Sequence, residues 1–472
     1  MAKKEVQKHI GFNLFEMGCV GHISHGLWVH PENNRHRFND IDFWIEQAKI
    51  LEEGLFDAVF LADVIGAYDG YRAGPETALR ESVQIPNNDP LLLIPAMAAA
   101  TKYLGFAATF STTYEPPFAF ARRASTLDHL TKGRFGWNIV TSYLPNAARN
   151  FGLEKEVAHG QRYDRADEYL DVLYKLWEGS WDDDAVIQDR ENYVYTDPDK
   201  VRYIHHRGEH FAVEGPHLSQ PSLQRTPVLF QAGSSPRGRA FAGKHAEAVF
   251  VGGSSFENYR EHVADIRRQA EENGRDGNDV KAYSHGVVIV GKTEEEAQRK
   301  AEEYERLSRA EGYLTHAGGG GIDWAAYSPD TPISVVEERE RAAGRDPSRR
   351  TRFFNPGSTV ADALHEITRF DRSPFFAVGT PSQVVDNIQH WVEQTDLDGF
   401  NLRQFLTPGT AEDFVELVVP ELQKRGLYRT KYKESTLRER LFGKGNVRLP
   451  ETHPGAQYRQ GKNLSGQVIS PE

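Results

Sequence analysis

The sequence contains almost no cysteine and no long apolar run. Its 472 residues include a single cysteine, Cys19, so no disulfide can form within the chain. No apolar segment approaches the roughly 20 residues that a membrane-spanning helix needs. The first residues, MAKKEVQKHIG, lack the apolar core of a secretion signal. We therefore expect a cytoplasmic protein that does not bind a membrane.

Positive charge is also in deficit. Lys and Arg number 56 against 68 Asp and Glu, which gives a formal net charge of −12, and no long block of basic residues interrupts this excess. Because nucleic acids recruit proteins through positive patches, we expect no nucleic-acid partner. With 39% hydrophobic and 26% charged residues, the composition is that of an ordinary globular protein, and small molecules are the expected ligands.

What the sequence does contain is a regular alternation of short β-rich runs and helical patterns, which is typical of parallel βαβ units. The predicted strands are His9–Glu16, Ala58–Ala62, Phe106–Ser111, Arg134–Thr141, Pro227–Gly233, Ala248–Gly252, Val280–Val290 and Gly399–Phe405. The predicted helices are Asp40–Glu53, Pro90–Lys102, Phe118–Leu130, Tyr163–Trp177, Arg237–Lys244, Phe256–Asn273, Glu294–Ala310, Ser382–Gln394 and Ala411–Lys424. This pattern favours an α/β fold in the form of a closed (β/α)8 TIM barrel over an open doubly wound sheet, which has the same local signature.

Two stretches fall outside the repeat and predict insertions, at about residues 178–226 and 311–376. We expect one barrel domain over residues 1–428. The second insertion contains the glycines Gly318–Gly321 and a basic run, Arg345–Phe354; it is either a mobile cover of the barrel or a surface loop without function. Residues 429–472 have little periodicity and predict an extended C-terminal arm. Such arms often pack on another subunit, so a homo-oligomer, dimer or tetramer, is expected.

The loop after the first strand concentrates metal-binding residue types, and a metal site is one alternative. These residues are Cys19, His22, His25, His30 and His36. Amidohydrolase-type barrels need a His-x-His pair on the first strand, whereas the spacing here is His-x-x-His in a loop. The later strand ends offer Asp63, Asn138 and Gln231 rather than imidazoles. We therefore expect no metal, and Cys19 is more typical of a buried small hydrophobe than of a nucleophile.

A dinucleotide-binding fingerprint is missing, but a candidate phosphate cradle is present. No G-x-G-x-x-G stands between a predicted strand and helix, so electrons from NADH would have to arrive through another protein. After the fifth strand, Gly233, Ser234 and Ser235 precede a helix that begins at Pro236 and Arg237. Backbone amides at such a helix start, with two hydroxyls and an arginine, suit a phosphate. Plain helix capping by either serine is the alternative.

Long motifs run through most of the chain. They include FEMGCVGHISHGLWVHPENNRHRF, FDAVFLADVIGAYDGY, VQIPNNDP, FSTTYEPPFAFARRASTLDHLTKGRFGWNIVTSYLPNAARNFG, RYDRADEYLDVLYKLWEGSW, TPVLFQAGSSPRGRAFAGKHAEAVF and DGFNLRQF. Together they resemble the two-component flavin monooxygenases of the bacterial luciferase superfamily. Within it, the chain is similar to the subgroup of long-chain alkane, dimethyl sulfide, dibenzothiophene sulfone and nitrilotriacetate monooxygenases.

The resemblance implies a reduced FMN cofactor, O2, a separate NAD(P)H:flavin reductase and a small apolar substrate such as an alkane or a dialkyl sulfide. Matched position by position, the flavin site of the family falls on Asp63, Thr109, Ser111 and Asn138. Its phosphate end falls on Tyr163, Ser234 and Ser235, to which the helix start adds Gly233 and Arg237. Simple structural roles are the alternatives: a helix cap for Asp63, strand filling for Thr109 and Ser111, and helix core for Tyr163.

The reacting face of the alkane enzyme is matched by Cys19, His22, Tyr68 and Gln84, but one of its histidines falls on Tyr143. An imidazole takes up a proton near neutral pH, whereas a phenol mostly donates hydrogen bonds, so this departure favours the sulfide over the alkane. We expect His22 to handle the proton of the oxygen-transfer step, with Tyr68 and Tyr143 as hydrogen-bond donors. The aromatic residues expected to exclude water from the site are Phe12, Phe15, Phe60, Phe110 and Trp137.

Two other functions fit the same fold. One is a barrel oxidoreductase that transfers hydride with a deazaflavin and without oxygen, and the other is a flavin-binding protein without catalysis. Oxygen uptake distinguishes a monooxygenase from both.

Overall fold

The computed structural model describes residues 9–318, 322–344, 347–351, 354–355 and 357–461. Eight parallel strands form its centre: β1 Gly11–Met17, β2 Ala58–Ala62, β3 Gly105–Ser111, β4 Phe135–Val140, β5 Val228–Gln231, β6 Ala248–Val251, β7 Lys281–Val290 and β8 Gly399–Arg403. Neighbours in sequence pair around the sheet, and β8 pairs with β1, which closes the ring. The predicted (β/α)8 barrel is confirmed.

Alternate residues of each strand face opposite sides of the barrel wall. Phe15 and Phe60 pack together inside the barrel, whereas Phe12 and Trp137 belong to the layer between the strands and the outer helices. Phe110 stacks on Phe120 of a surrounding helix, at 4.2 Å between ring centroids. The expectation that all five aromatic residues wall off the site is therefore wrong for Phe12, Phe110 and Trp137, because strand parity directs them outward.

Helices surround the strands, as the pattern predicted. They are α1 Ile41–Glu53, α2 Pro90–Ala100, α3 Pro117–Thr131, α4 His159–Tyr174, α5 Pro236–His245, α6 Phe256–Glu272 and α7 Pro381–Thr395, followed by Gly409–Asp413, the π-helical turn Phe414–Val418 and Val419–Lys424. Helix α7 packs against α6, whereas Glu294–Leu307 packs against β7 and a further strand. No helix in the described part of the chain is long and apolar enough to cross a membrane.

That further strand, Phe375–Gly379, was not predicted. It lies parallel to the second half of β7, from Gly286 beside Phe375 to Val290 beside Gly379. The first half of β7 pairs with β6 and β8. Strand Phe375–Gly379 therefore extends the sheet above the barrel and is not a ninth strand of the barrel. The expected insertion at 311–376 thus ends inside a strand. A five-residue apolar run carries too little periodicity to be recognised from sequence.

The second insertion folds as a small helical unit. It contains Ala310–Gly318, Trp324–Ala326, Ile333–Ala342, Ser348–Thr351 and Val360–Thr368. Its buried side chains, among them Trp324, Val336 and Val360, pack on Tyr71 from the loop after β2. Gly318 ends the first of these helices, while Gly319–Gly321 lie outside the described residues. Parts of the basic run 345–354 also lie outside them. The first insertion, 178–226, carries the hairpins Val186–Asp189 with Val194–Thr196 and His206–Arg207 with Ala212–Val213.

The described part of the C-terminal segment, 429–461, closes the lower end of its own barrel, where the strands begin. Helix Leu437–Phe442 inserts Leu437 among inward-facing residues such as Ala58 and Val228. Arg438, fully buried, donates to Glu247 at 2.6 and 2.9 Å. The expected extended arm is corrected for this part. Its buried anchors, which include Leu437, Arg438, Arg440, Leu449 and Tyr458, are irregularly spaced and leave no hydrophobic periodicity in the sequence.

Candidate functional site

A cavity of about 790 Å³ opens at the carboxyl ends of the strands, where barrels of this type place their active sites. Its volume lies within the roughly 300–1,000 Å³ typical of small-molecule sites. We call it the mouth cavity. The predicted site residues that line it are Asp63, Thr109, Ser111, Tyr143, Tyr163, Gly233, Ser234, Ser235 and Arg237. The fold therefore brings together side chains that lie between Asp63 and Arg237 in the sequence.

The ends of β3 and β4 provide a polar wall. Asn138 donates from Nδ2 to Thr109 Oγ1 at 2.9 Å, so Asn138 contacts the cavity wall through Thr109. Its Oδ1 is buried and has no hydrogen-bond partner among the described residues. Ser111 accepts a hydrogen bond from Ser142 at 2.7 Å. A buried amide oxygen without a partner is costly unless a ligand or water satisfies it.

Asp63 follows β2 directly and faces the same cavity. Its Oδ1 accepts from Asn87 Nδ2 at 2.8 Å. Burial raises the pKa of Asp63 to about 7, against the lowering effect of the Asn87 hydrogen bond. The carboxyl group is therefore divided between its protonated and ionised forms at neutral pH.

The opposite end of the cavity is built by the start of α5. Ser235 caps this helix, its Oγ accepting from Gly238 N at 3.0 Å. A Cβ on Gly233 would lie 3.0 Å from both Gly238 Cα and Tyr163 Oη, so only glycine allows this close approach. Pro236 has no N–H, and Ser235 binds the N–H groups of Gly238 and Arg239, so Arg237 N–H is the main-chain donor left in the first turn of this described helix. Capping by Ser235 thus coexists with an anion-binding geometry.

The guanidinium of Arg237 is already neutralised. It donates to Asp164 at 2.9 Å and to Asp167 at 2.5 Å, so little of its charge is available to a phosphate. Arg162 lines the same cavity, is largely buried, and donates to the main-chain oxygen of Ser142 at 2.5 Å. Arg162 was not among the predicted site residues, although its place beside Tyr163 on the first turn of α4 was the available signal.

Four of the predicted reacting-face residues form one chain of hydrogen bonds that ends at the cavity. Gln84 donates from Nε2 to the main-chain oxygen of His22 at 2.8 Å, and Tyr68 donates to Gln84 Oε1 at 2.9 Å. The hydroxyls of Tyr68 and Tyr143 lie 2.8 Å apart. Tyr143 lines the cavity, while Tyr68 and Gln84 are buried behind it. We call this the tyrosine–glutamine chain.

The side chains of His22 and Cys19 lie outside the mouth cavity. The His22 ring packs edge-on against Phe15, at 4.5 Å between centroids, and its Nδ1 has no partner in the described part of the chain. Burial and nearby Arg35 hold the pKa of His22 well below its ordinary value, so the imidazole is neutral at physiological pH. Burial raises the pKa of Cys19 to about 12, which keeps it a thiol rather than a nucleophilic thiolate.

His316, from the second insertion, completes the group and was not predicted as a site residue. Its ring stands edge-on to Tyr68, at 5.1 Å between centroids, and its Nδ1 lies 3.2 Å from Nε2 of buried His25. Ser348 of the same insertion lines the mouth cavity. The insertion therefore contacts the site at two points. Sequence reasoning missed His316 because it lies far from any predicted strand end.

The remaining imidazoles of the first loop have separate partners. His30 lies 3.4 Å from Glu303, and His36 contacts the main-chain oxygen of Asn33 at 3.3 Å. Across the described ranges, no group of three or more His, Cys, Asp or Glu residues is arranged to hold a metal ion.

Comparison with known proteins identifies the family. The family model described as luciferase-like monooxygenase matches residues 17–398. The chain belongs to this family. It is 54% identical over 463 residues to a long-chain alkane monooxygenase of Geobacillus thermodenitrificans, covering 98% of this chain and 100% of that protein. It is 45% identical over 456 residues to a dimethyl-sulfide monooxygenase of Hyphomicrobium sulfonivorans, covering 96% and 94%.

A solved structure of a riboflavin lyase with modified FMN and riboflavin is 39% identical, with a TM-score of 0.88 over 96% of this chain and 100% of that one. This chain is accordingly a luciferase-like monooxygenase that uses reduced flavin, which confirms the predicted resemblance. Neither a deazaflavin-dependent hydride transfer nor flavin binding without catalysis is favoured.

Proposed function

We propose that this luciferase-like monooxygenase is the oxygenase of a two-component system. It takes reduced FMN from a separate NAD(P)H:flavin reductase and oxidises a small apolar substrate, an alkane or a dialkyl sulfide, with O2. Reduced flavin, when bound, supplies the electrons with which one oxygen atom enters the substrate and the other leaves as water. The observation that carries the proposal is a single cavity whose wall contains both the helix-start cradle and Tyr143, the last member of the tyrosine–glutamine chain.

The residues fit FMN at both ends of that cavity. Ser234, Ser235, Tyr163 and Arg162 would hold the phosphate, where Gly233 leaves room for close approach. The flavin ring system would be held by Asp63, Thr109, Ser111 and Asn138. The buried Oδ1 of Asn138, which has no partner among the described residues, is an acceptor suited to a ring N–H. We assign Arg237 only a secondary role, because Asp164 and Asp167 compete for its charge.

The direction of the tyrosine–glutamine chain assigns each hydroxyl proton. The amide of Gln84 must point its nitrogen at the carbonyl of His22, so its oxygen accepts the proton of Tyr68. The one proton left for the Tyr68–Tyr143 contact is that of Tyr143. Tyr143 therefore donates away from the cavity and presents its oxygen lone pairs toward it.

In this arrangement Tyr143 would accept a hydrogen bond from the proton held at the reacting centre. His22 lies outside the cavity, and burial holds its pKa well below the ordinary value, so its Nδ1 is suited to accept a hydrogen bond rather than to take up a proton. Inside the barrel, Phe15 and Phe60 form part of an aromatic cluster with Phe230 and Phe250 that keeps water out from below.

Substrate class is tested by supplying reduced FMN from a generic flavin reductase and scoring oxidised product by mass spectrometry, with alkanes and dialkyl sulfides in parallel. Overall similarity favours an alkane, whereas the phenol at Tyr143 favours a sulfide. We expect sulfide oxidation in the unaltered protein and a shift toward alkanes in Tyr143→His. Without the reductase, NADH must remain unoxidised. O2 consumption without any oxidised product across both classes would overturn the substrate proposal.

Self-association is the remaining part of the proposal. A dimer or tetramer remains our prediction. The exposed side chains of Tyr193, Leu92 and Leu218 are candidates for a subunit contact, but scattered apolar side chains are also normal on monomers. Light scattering of the purified chain measures this directly.

A further inference from the structure

A second cavity, of about 420 Å³, lies at the opposite end of the barrel from the mouth cavity. Its wall combines the first residues of β1 and β7, the loops that lead into β2 and β8, and the C-terminal segment that closes the barrel. We call it the floor cavity. None of the residues assigned to the flavin or the substrate lines it.

Positive charge predominates in this cavity, although the whole chain carries a net charge of −12. Its basic side chains are Lys281, Arg429, Lys431, Lys433 and Arg440, and its carboxylates are Asp57, Asp398 and Glu434. Two of these carboxylates are already paired. Asp57 lies 2.6 Å from Arg429, and Asp398 lies 3.2 Å from Arg267 outside the cavity. They therefore neutralise little of the remaining charge.

Three lysines and one arginine are left. Within the described ranges, Lys281, Lys431 and Lys433 form no ion pair, and Lys281 contacts only the ring face of Phe442. Arg440 is 8% exposed and donates to the main-chain oxygens of Asp57, at 2.6 Å, and of Tyr103. It forms no ion pair with a carboxylate among the described residues. The carboxylates of Asp57 and Glu434 offset part of the charge of Arg440, and the field that remains is weakly screened in the interior.

We propose that the floor cavity binds a small phosphate-bearing molecule. Lys281, Lys431 and Lys433 would contact the phosphate, Arg440 would supply a fixed positive field from behind them, and Tyr283 and Leu441 would pack on the rest of the ligand. Because Lys281 begins β7 and the other two lysines belong to the C-terminal segment, the ligand would tie that segment to the barrel. A ligand that binds only the folded state raises the melting temperature by mass action.

The test uses the full chain, with inorganic phosphate and AMP as alternative ligands and NaCl at matched ionic strength as the blank. Calorimetric titration and Tm are the two measurements. We expect saturable binding and a saturable Tm increase with one or both phosphate compounds, and neither with NaCl. Binding of both inorganic phosphate and AMP would show that the phosphate group is sufficient for binding. Binding of AMP alone would show that the cavity also recognises the organic part of the ligand.

The exposed pair Lys431→Gln/Lys433→Gln should weaken binding at least about tenfold, about 1.4 kcal/mol. Lys49→Gln/Lys292→Gln removes the same charge elsewhere and should leave the affinity unchanged. Ser235→Asp, which alters the mouth cavity, should also leave it unchanged and so separates this site from that of FMN. Absence of saturable binding by both compounds, equal loss in the two lysine variants, or loss in Ser235→Asp would each overturn the proposal.

Discussion

The mouth of the barrel and the Arg438–Glu247 pair beneath the barrel treat their buried polar groups in opposite ways. At the mouth, burial raises the pKa of Asp63 to about 7, and Asn138 Oδ1 and His22 Nδ1 lack partners in the described structure. Beneath the barrel, Arg438 donates to both oxygens of Glu247 and to the carbonyl of Thr226. Incompletely satisfied groups are tolerated where a ligand uses them, whereas fully paired ones hold the fold together.

The sharpest way to break this contrast is Arg438→Ala. Removing the guanidinium leaves Glu247 buried without its partner, and we expect the free energy of unfolding to fall by about 3–5 kcal/mol. Urea denaturation measures the loss. Arg448→Ala, which removes a partly exposed pair with Asp183, is the matched control and should cost less than about 1 kcal/mol. Similar losses in both variants would contradict the structural role given to Arg438.

The largest effect at the mouth is expected from Ser235→Asp. A carboxylate at the start of α5 would repel the phosphate dianion, so FMN binding should weaken about a hundredfold, about 2.7 kcal/mol, with a much smaller loss for riboflavin. Ser255→Asp alters the corresponding cap of α6, outside the cavity, and should change neither. Arg162→Ala should weaken FMN more than Arg237→Ala does. Equal losses for both ligands would place the phosphate elsewhere.

Tyr143→Phe tests the tyrosine–glutamine chain. The variant removes the hydroxyl that faces the cavity but keeps the ring, so we expect product formation to fall about tenfold while FMN affinity stays constant. Tyr114→Phe removes a partly buried hydroxyl that does not line the cavity and serves as the control. Full activity of Tyr143→Phe would show that the lone pairs of this oxygen are not used.

We expect the second insertion to cover the mouth cavity, and the contact that would hold it there is the packing of the His316 ring against Tyr68. His316→Ala removes both the ring contact and the contact with His25, so more hydrogen peroxide should be released per reduced flavin consumed, severalfold above the unaltered protein. His316→Phe keeps the ring and should remain closer to normal coupling. Flavin affinity should hold in both. Unchanged peroxide yield in His316→Ala would mean that the insertion does not exclude water.

Asp63→Asn should change how the stability of the protein depends on pH. Because burial raises the pKa of Asp63 from 3.8 to about 7, the folded protein binds this proton more tightly than the unfolded chain does. The associated stability is complete below about pH 4 and is lost as pH rises through 7. Asparagine cannot ionise, so the Tm of the variant relative to the unaltered protein should increase between pH 5 and pH 8. Parallel Tm curves would refute the shifted pKa.

The barrel was predictable from sequence because each strand and each helix is marked by the pattern of its own residues. A buried parallel strand is a short apolar run, and a following helix has its own period, so eight units could be counted without knowing their contacts. The same logic located Asp63, Asn138 and Ser235, since residues at strand ends must meet at one face of the barrel. The sequence did not show which residues of a strand face the inside of the barrel. Phe12 and Phe15 are the same residue type in one strand, yet they face opposite sides of the barrel wall.

Features that depend on distant partners were not predictable. His316 becomes a neighbour of Tyr68 only after the insertion folds back over the loops, and no local pattern marks that return. The charge of Arg237 appeared available in the sequence, yet two carboxylates of α4 neutralise it. The composition around Arg438 is typical of a solvated tail, and its burial is explained by distant partners, Glu247 on the loop before β6 and the carbonyl of Thr226.

The pairing of β7 with Phe375–Gly379 has a consequence for the way such enzymes can diversify. The chain leaves the barrel at Val290 and returns at Gly379, and these residues are register partners, with Gly291 N donating to Gly379 O at 3.2 Å. The segment between Val290 and Gly379 therefore begins and ends at neighbouring positions in the structure. Lengthening it adds little closure entropy, about 0.6 kcal/mol per doubling of its length. An insertion from a relative could therefore be exchanged at this junction, replacing the second insertion while leaving the eight strands and the arginine beneath them untouched.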